Sequence, residues 1–152
     1  MKALIQRVAR AAVLVDGETV GAIDHGLLVL VGVGHEDSAS DAATLAGRVA
    51  NLRVFEDGDG KMNLSVLDAG GGLLAVSQFT LMGDTRRGRR PSFVAAAAAQ
   101  LASPLFDGFV AELSALASSP VATGRFGADM KIDLVADGPV TLMLDTEERR
   151  RG

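Results

Sequence analysis

The chain contains no cysteine, no tryptophan and no tyrosine, and it has only two histidines, His25 and His35. The absence of cysteine excludes disulfides, a thiolate nucleophile and a cysteine-ligated zinc ion. Two histidines are few for a zinc site built from protein ligands. The sequence therefore predicts a function that uses no metal and no other cofactor.

Long hydrophobic runs are absent as well. The longest apolar stretch, residues 27–33, is too short to cross a bilayer, and the charged N-terminal segment MKALIQRVAR does not have the pattern of a signal peptide. The formal net charge of −4 disfavours a general nucleic-acid coat protein, although it leaves room for a local basic site. We expect a cytoplasmic protein without a membrane partner, with a single domain at 1–146 and a charged tail at 147–152 that frays from Thr146 onward.

The apolar residues are mainly Val, Leu, Ile and Ala, and they occur in short runs with turn signals between them. Strands are predicted at 3–8, 11–15, 18–23, 27–33, 52–55, 130–135 and 140–144, with a further strand beginning at Leu73 and a turn at 57–60. Helices are predicted at 39–51, after a Ser38–Asp41 capping box, at 93–101 from its alanines, and up to Leu116 from a Ser103 cap and Pro104. This pattern predicts an α+β fold with a β-barrel-like antiparallel or mixed sheet and two to three flanking helices.

Polar residues interrupt an apolar strand in LLAVSQFTLM, residues 73–82. Ser77, Gln78 and Thr80 follow four apolar residues, with Phe79 between them. Polar groups at the end of a core strand destabilise the fold unless they are paired or bind a ligand. The stretch therefore predicts either a functional site at a strand end or a strand with one buried hydroxyl bonded to its neighbours.

Gly138-Pro139 opens a predicted strand, a position that proline tolerates because it donates no ladder hydrogen bond. The pair is either a simple strand start or, with a cis bond, a place where main-chain carbonyls around Gly138 approach a ligand closely. Arg7 lies inside a strand-like segment. A buried arginine needs partners, so Arg7 is expected to orient a nearby carbonyl or carboxylate.

Basic residues cluster in TRRGRRP at 85–91 and in ERRR at 148–151. Because the arginine fork suits phosphate, the first cluster predicts either a phosphate contact or a solvated basic loop. A Ser-His-Asp triad can be written from Ser77, His25 and an aspartate, but a triad is identified by geometry and this reading is the weaker one.

Six segments together carry a resemblance to a known family. They are ALIQRV (3–8), GKMNLSV (60–66), VSQFTL (76–81), DTRRGRRPSF (84–93), TGRFGADM (123–130) and DGPVTLMLD (137–145). In this order, and nearly from end to end, they resemble the D-aminoacyl-tRNA deacylase family. SQFT and GPVT at this spacing are specific as a pair, whereas either motif alone is weak.

The resemblance implies a homodimer with a β-barrel-like core that hydrolyses the ester between a D-amino acid and the terminal adenosine of tRNA. It implies a cis Gly138-Pro139 bond that is inserted into the active site of the other subunit. There the carbonyls capture the substrate amino group and exclude an L side chain but not glycine, and Arg7 supports the motif.

The resemblance also implies roles for other residues. Ser77, Gln78, Phe79 and Thr80 would line the scissile ester as the catalytic segment, Phe126 and Met130 would form the pocket wall, and Arg87 and Arg90 would contact tRNA. Arg86 and Arg89 depart from the family pattern and only add charge.

Two hydrolytic mechanisms remain open at this point. Either the free ribose hydroxyl of the terminal adenosine activates water, or Thr80 attacks the ester; the first is favoured because no base adjoins Thr80 in sequence. In both, backbone N–H groups near Phe79 and Thr80 would hold the oxyanion. Two other functions are compatible with the sequence, namely a non-catalytic module that binds tRNA or another nucleic acid and an editing domain that works beside a synthetase.

Overall fold

A computed structural model describes the backbone of residues 1–150 and the side chains of residues 1–148. Within this part of the chain the strands are β1 (Lys2–Val15), β2 (Glu18–Ile23), β3 (Gly26–Gly32), β4 (Phe55–Glu56), β5 (Met62–Leu64), β6 (Gly72–Ser77), β7 (Ala122–Thr123) and β8 (Lys131–Asp145). The helices are α1 (Ala39–Asn51), α2 (Ala99–Leu116) and α3 (Glu147–Arg150), and a 3₁₀ turn at Phe79–Met82 follows β6. The predicted α+β class is confirmed.

Strand β1 is the centre of a mixed sheet. It pairs antiparallel with β3 through its first half, with β2 through its second half, and with β8 along nearly its whole length. The sheet continues from β3 to β6 and from β6 to β7 through parallel pairs. The result is a nearly closed, barrel-like sheet, as predicted.

The inner strands are buried on both faces, which explains their uninterrupted apolar sequences. On one face, Leu27 and Leu73 join a core that includes residues of α1 and α2. On the other face, Leu28 and Leu74 pack with Val13 of β1 inside the barrel. The sheet therefore separates two hydrophobic clusters.

The prediction of separate strands at 3–8 and 11–15, and again at 130–135 and 140–144, is wrong. Each pair forms one long strand, β1 and β8, with two register shifts between them around Val8. Ala3 and Ile5 face one cluster, whereas Val8 faces the other. The irregular pairing interrupts the alternation of buried and exposed residues along the strand. In the sequence, this interruption looks the same as the end of a strand.

The predicted helix at 93–101 is also wrong. Residues 93–98 form an irregular segment in which Ala95 O accepts from His35 N and Ala97 N donates to Val33 O. These main-chain hydrogen bonds outweigh the helix propensity of alanine. Helix α2 begins after the N-cap Ala98, so Ser103 is not its cap and Pro104 lies inside it.

Other boundaries differ in smaller ways. Helix α1 and its Ser38–Asp41 capping box are confirmed, whereas the strand predicted at 52–55 begins only at Phe55. It pairs with β5 across the 57–60 turn, which Asp57 stabilises by accepting from the backbone N–H of Lys61. The short strands β5 and β7 were not predicted.

The C-terminal segment is more ordered than expected at its start. Thr146 is buried, donates its backbone N–H to Met1 O and accepts from the Met1 amino group, so fraying does not begin there. Of the charged tail, the side chains of residues 149–152 lie outside the described residues. Among the described residues, no helix is long and apolar enough to cross a membrane.

Two glycines provide a matched test of the packing. A Cβ on Gly26 would lie 2.0 Å from Gly72 O, whereas a Cβ on Gly47 would meet nothing within 4 Å. We expect Gly26→Ala to lower the free energy of unfolding by more than about 2 kcal/mol, because the parallel β3–β6 pair must move apart. Gly47→Ala, inside α1, should raise it by about 0.5–1 kcal/mol. Urea unfolding of the two variants checks both signs, and similar values for the two would contradict the described packing.

Candidate active site

A cavity of about 420 Å³ opens beside the end of β6. Its lining residues come from β3, the end of β6, α2 and the segment that enters β8: Val31, Val33, Val76, Ser77, Gln78, Phe79, Ala97, Ala99, Ala102, Phe106, Phe126, Gly127, Ala128, Met130 and Ile132. None of these described lining residues has an ionisable side chain. The cavity is thus apolar, with hydroxyl, amide and main-chain groups at one end.

The polar end of the cavity is formed where β6 stops. Ser77, Gln78 and Phe79 line it, and the backbone N–H of Gln78 donates to Val31 O at 2.7 Å. The chain then turns into the 3₁₀ segment, in which Leu81 N donates to Gln78 O. The N–H groups of Phe79 and Thr80 are the first in this turn, and such groups have no acceptor within the turn.

Thr80 is exposed beside the cavity and does not line it. Its hydroxyl oxygen accepts a hydrogen bond from Gln78 Nε2. An amide donor withdraws electron density from that oxygen, whereas a nucleophilic hydroxyl needs a base that takes its proton. The observed contact gives the Thr80 hydroxyl a hydrogen-bond donor and not a base.

Phe126 and Met130, which the resemblance assigns to a pocket wall, are among the residues that line the cavity. The Phe126 ring is tilted against Phe106 of α2, with 6.2 Å between ring centroids. The sulfur of Met130 approaches Gly124 so closely that a Cβ there would lie 2.7 Å from it. The wall is therefore fixed from both sides by packing.

The basic segment TRRGRRP at 85–91, called the arginine loop below, lies next to this site and outside it. Asp84 and Ser92 close the loop with two main-chain hydrogen bonds, and Phe93 packs edge-on against Phe79 at 5.1 Å. The Arg86 guanidinium and its backbone N–H bond the Asp84 carboxylate and lower the pKa of Asp84 to about 2. Arg86 is therefore neutralised locally.

Arg87 and Arg90 differ from Arg86 in this respect. Both are exposed, and neither has an ion pair among the described residues. Their charges are directed to solvent at the tip of a closed loop that adjoins the cavity mouth. This position is compatible with the phosphate contact predicted from the sequence.

Gly138-Pro139 is joined by a cis peptide bond, and Gly138 has φ +123°. Buried Arg7 holds the segment: its Nε donates to Asp137 O at 3.2 Å and lies 3.4 Å from Asp137 Oδ2, and its Nη1 donates to Val54 O at 2.7 Å. The sequence-based expectation that Arg7 orients a carbonyl or carboxylate is confirmed by both contacts.

Within one chain, the Gly138-Pro139 pair does not reach the cavity. Neither residue lines it, and the part of β8 between the lining residue Ile132 and Gly138 spans about 20 Å at ~3.3 Å per strand residue. The structure thus brings together Ser77, Gln78, Phe79, Phe126 and Met130, and it groups Gly138 and Pro139 with Arg7 elsewhere.

The triad written from the sequence is not formed. Ser77 lines the cavity, whereas His25 faces Asp137 in a second, smaller cavity beside Arg7. Among the described residues, no group of three His, Asp or Glu side chains could hold a metal ion. Sequence reasoning missed the contribution of Phe106 and Ala102 to the cavity wall, because their spacing on α2 signals only a buried helix face.

The hydrogen bonds of Arg7 to Asp137 O and Val54 O can be tested by a substitution that keeps the charge and changes the shape of the side chain. We expect Arg7→Lys to lower the free energy of unfolding by about 1–3 kcal/mol, because one ammonium cannot satisfy both Val54 O and Asp137 O. Arg10→Lys is the matched control, since half-exposed Arg10 only pairs with Asp133 and should change stability by less than about 0.5 kcal/mol. Urea denaturation of both variants measures this, and equal losses would show that the buried contacts of Arg7 add nothing.

Comparison with known proteins finds relatives over nearly the whole chain. The family model described as D-Tyr-tRNA(Tyr) deacylase matches residues 4–145. A D-aminoacyl-tRNA deacylase of Chloroflexus aurantiacus is 58% identical over 150 residues, which cover 99% of this chain and 93% of the relative. One from Thermus aquaticus is 56% identical over 149 residues, covering 98% and 97%.

Two solved structures have the same fold. A structure titled c-Myc DNA Unwinding Element Binding Protein superposes with a TM-score of 0.92 at 38% identity, covering 96% of this chain and 99% of the other. A probable eukaryotic D-amino acid tRNA deacylase gives a TM-score of 0.80 at 17% identity, covering 94% and 97%, and supports the fold alone. With a family model and close relatives that span nearly its whole length, the chain belongs to the D-aminoacyl-tRNA deacylase family.

Proposed function

We propose that this enzyme hydrolyses the ester that joins a D-amino acid to the 3′-terminal adenosine of tRNA, and releases the free D-amino acid and tRNA. The observation that carries the proposal is a cavity with polar main-chain and amide groups at one end and no ionisable side chain among the lining residues that the structure describes. Such a site suits a substrate that brings its own reactive group. A cytoplasmic location follows from the substrate and stays a prediction.

The cavity has the size and surface of a ligand site. Its volume of about 420 Å³ falls in the range of pockets that enclose a small ligand. Phe126, Met130 and Phe106 offer an apolar wall for the adenine base. Gln78 and Ser77 stand at the polar end, where the ester would lie.

The chemistry proceeds by substrate assistance in this proposal. The free ribose hydroxyl next to the ester relays a proton. It takes one from water as the water oxygen bonds to the ester carbonyl carbon, and it gives its own to the ribose ester oxygen as the bond between that oxygen and the carbonyl carbon breaks. The N–H groups of Phe79 and Thr80 stabilise the oxyanion, a contribution of about 3 kcal/mol per donor in comparable sites. Attack by Thr80 is disfavoured because its oxygen already accepts from Gln78.

Chiral selection comes from Gly138 and Pro139 of a second subunit in a homodimer. Two observations support this. The pair is separated from the cavity of its own chain, and the β8 residues on either side of it, Val135, Leu142 and Met143, expose apolar side chains. Apolar strand surface of this kind is characteristic of surfaces that a partner covers. Arg87 and Arg90 of the neighbouring loop then contact the tRNA backbone.

Stereochemistry is the most direct test of the activity. Purified enzyme should hydrolyse D-tyrosyl-tRNA at least about a hundredfold faster than L-tyrosyl-tRNA, a ratio that needs ~2.8 kcal/mol of differential binding. Glycyl-tRNA should be hydrolysed measurably, because glycine has no side chain for the main chain to exclude. The release of labelled amino acid gives all three rates. Equal rates on the D and L esters, or complete inertness toward glycyl-tRNA at high enzyme concentration, would contradict the proposal.

Subunit complementation tests the shared site. Gly138→Ala disturbs the motif, since its Cβ would lie 2.9 Å from Val140 Cγ2, and Gln78→Ala removes the amide from the cavity. Each variant alone should be nearly inactive. Co-expressed variants should recover about a quarter of wild-type activity, because half of a random set of dimers is mixed and each mixed dimer has one intact site.

The control for complementation is a mixture of the two separately purified variants at a concentration that prevents subunit exchange, which should stay inactive. A co-expressed sample without recovery would indicate that each site is built within one chain. That result would reject the exchange between subunits while leaving the hydrolysis itself intact.

A non-catalytic module that binds nucleic acid is the second candidate. It is favoured by the exposed Arg87 and Arg90, which have no ion pair among the described residues, and by the 38% identical structure whose title names a DNA-unwinding-element binding protein. A pure binder would retain tRNA affinity in Gly138→Ala and would lose affinity and salt dependence in Arg87→Ala. Turnover of D-tyrosyl-tRNA by the wild-type protein decides against it.

A further inference from the structure

A second cavity lies behind the Gly138-Pro139 segment. Its volume is about 230 Å³, and its lining residues are Arg7, His25, Phe55, Glu56, Ala69 and Asp137. Four of these six residues carry ionisable side chains, in contrast to the first cavity. One of the four is Asp137, which immediately precedes Gly138. The cavity therefore groups charges around the anchor of the motif.

His25 is held in this cavity although its side chain is about half exposed. Its carbonyl accepts from Gly72 N at 2.9 Å, which fixes the backbone at the start of β3. Its ring packs edge-on against Phe55, with 5.1 Å between centroids and 86° between planes. In this orientation its Nε2 lies 3.8 Å from Asp137 Oδ2.

Asp137 is thus placed between two potential cations. Arg7 Nε lies 3.4 Å from the same carboxylate oxygen and also binds the Asp137 carbonyl. Arginine remains charged at all relevant pH values, whereas the charge of a histidine changes between pH 5 and 8 in ordinary surroundings. The carboxylate is held by one cation when His25 is neutral and by two when it is protonated.

We propose that His25 is a positioning residue, which holds Asp137 in its protonated form and thereby fixes the Gly138-Pro139 segment for capture of the substrate amino group. In this proposal His25 acts through Asp137 and touches no substrate. We therefore expect the loss of His25 to raise KM. The proposal rests on the proposed deacylase function, in which these main-chain carbonyls bind the substrate.

The charges around His25 determine the sign of the effect. The charged groups around His25 are Asp137, Glu56 and Arg7 in the cavity wall and Asp24 next in the chain. Because Arg7 is committed to Val54 O and Asp137, its charge is already balanced in part. A positive charge on the His25 ring, 3.8 Å from Asp137 Oδ2, would attract that carboxylate and add to the hold on it.

The experiment measures KM and kcat for D-tyrosyl-tRNA between about pH 5.5 and pH 8, across the usual range of histidine titration. The variant His25→Gln is neutral throughout. We expect its KM to exceed the wild-type KM about two- to fivefold at the acidic end, the range of an ion pair between half-exposed groups. The two KM values should converge at the alkaline end. Effects of pH on the chemical step are shared by both proteins and cancel in the ratio.

Two controls isolate the pair. His35→Gln changes the other histidine, which is exposed and lies outside both cavities, and it should keep the wild-type pH profile. In an Asp137→Asn background, His25→Gln should leave the KM profile unchanged, because the partner of His25 is gone. The melting temperature of each variant at both ends of the pH range verifies that it is folded.

The outcomes separate the two proposals. If His25→Gln has the same KM profile as the wild type, or if it shifts KM equally in the Asp137→Asn background, the positioning role of His25 is rejected while the deacylase function stands. If neither the wild type nor any of the variants hydrolyses D-tyrosyl-tRNA at any pH, the proposed function is rejected, and the role of His25 is rejected with it.

Discussion

The burial of the Arg7 guanidinium is the constraint on which the arrangement of the site depends. A buried charge destabilises a protein unless hydrogen bonds and an opposite charge accompany it. Arg7 meets this condition with Val54 O, ahead of β4, and with the carbonyl and carboxylate of Asp137 in β8. Three separate parts of the chain are thereby joined at one point. The register shifts between β1 and β8 occur at this point, so the position of Gly138-Pro139 is a property of the central strand pair and not of a mobile loop.

In the proposed function, two different environments serve the reacting ester and the main chain that selects the substrate. The larger cavity is apolar and has no ionisable group among its described lining residues, so in the proposed mechanism electrostatic help at the ester would come from amide and main-chain dipoles. The ionisable groups stand behind the Gly138-Pro139 segment, where they orient main chain. A rigid main chain discriminates by shape, and a side chain that acted as nucleophile would not improve this selection.

The sequence predicts those parts that depend on local signals. The Ser38–Asp41 capping box and helical periodicity locate α1 correctly, and the polar interruption after Val76 indicates a real strand end beside a cavity. Alanine propensity fails at residues 93–98, because main-chain hydrogen bonds to Val33 and His35 compete with the helix there. The contacts of Arg7 with Val54 and of His25 with Asp137 join positions that are distant in sequence, and no local pattern encodes such pairs.

The separation of motif and cavity within one chain has a consequence for assembly in the proposed homodimer. Val135 and Leu142 flank Gly138-Pro139 on β8, and both expose apolar surface. Covering this surface stabilises association at ~25 cal/mol per Å² of apolar area. The same docking would carry the motif into the partner's cavity. Formation of the interface and completion of the active site are then one event, so an isolated subunit would retain a cavity that binds the adenosine but would lack the element that selects the D-amino acid.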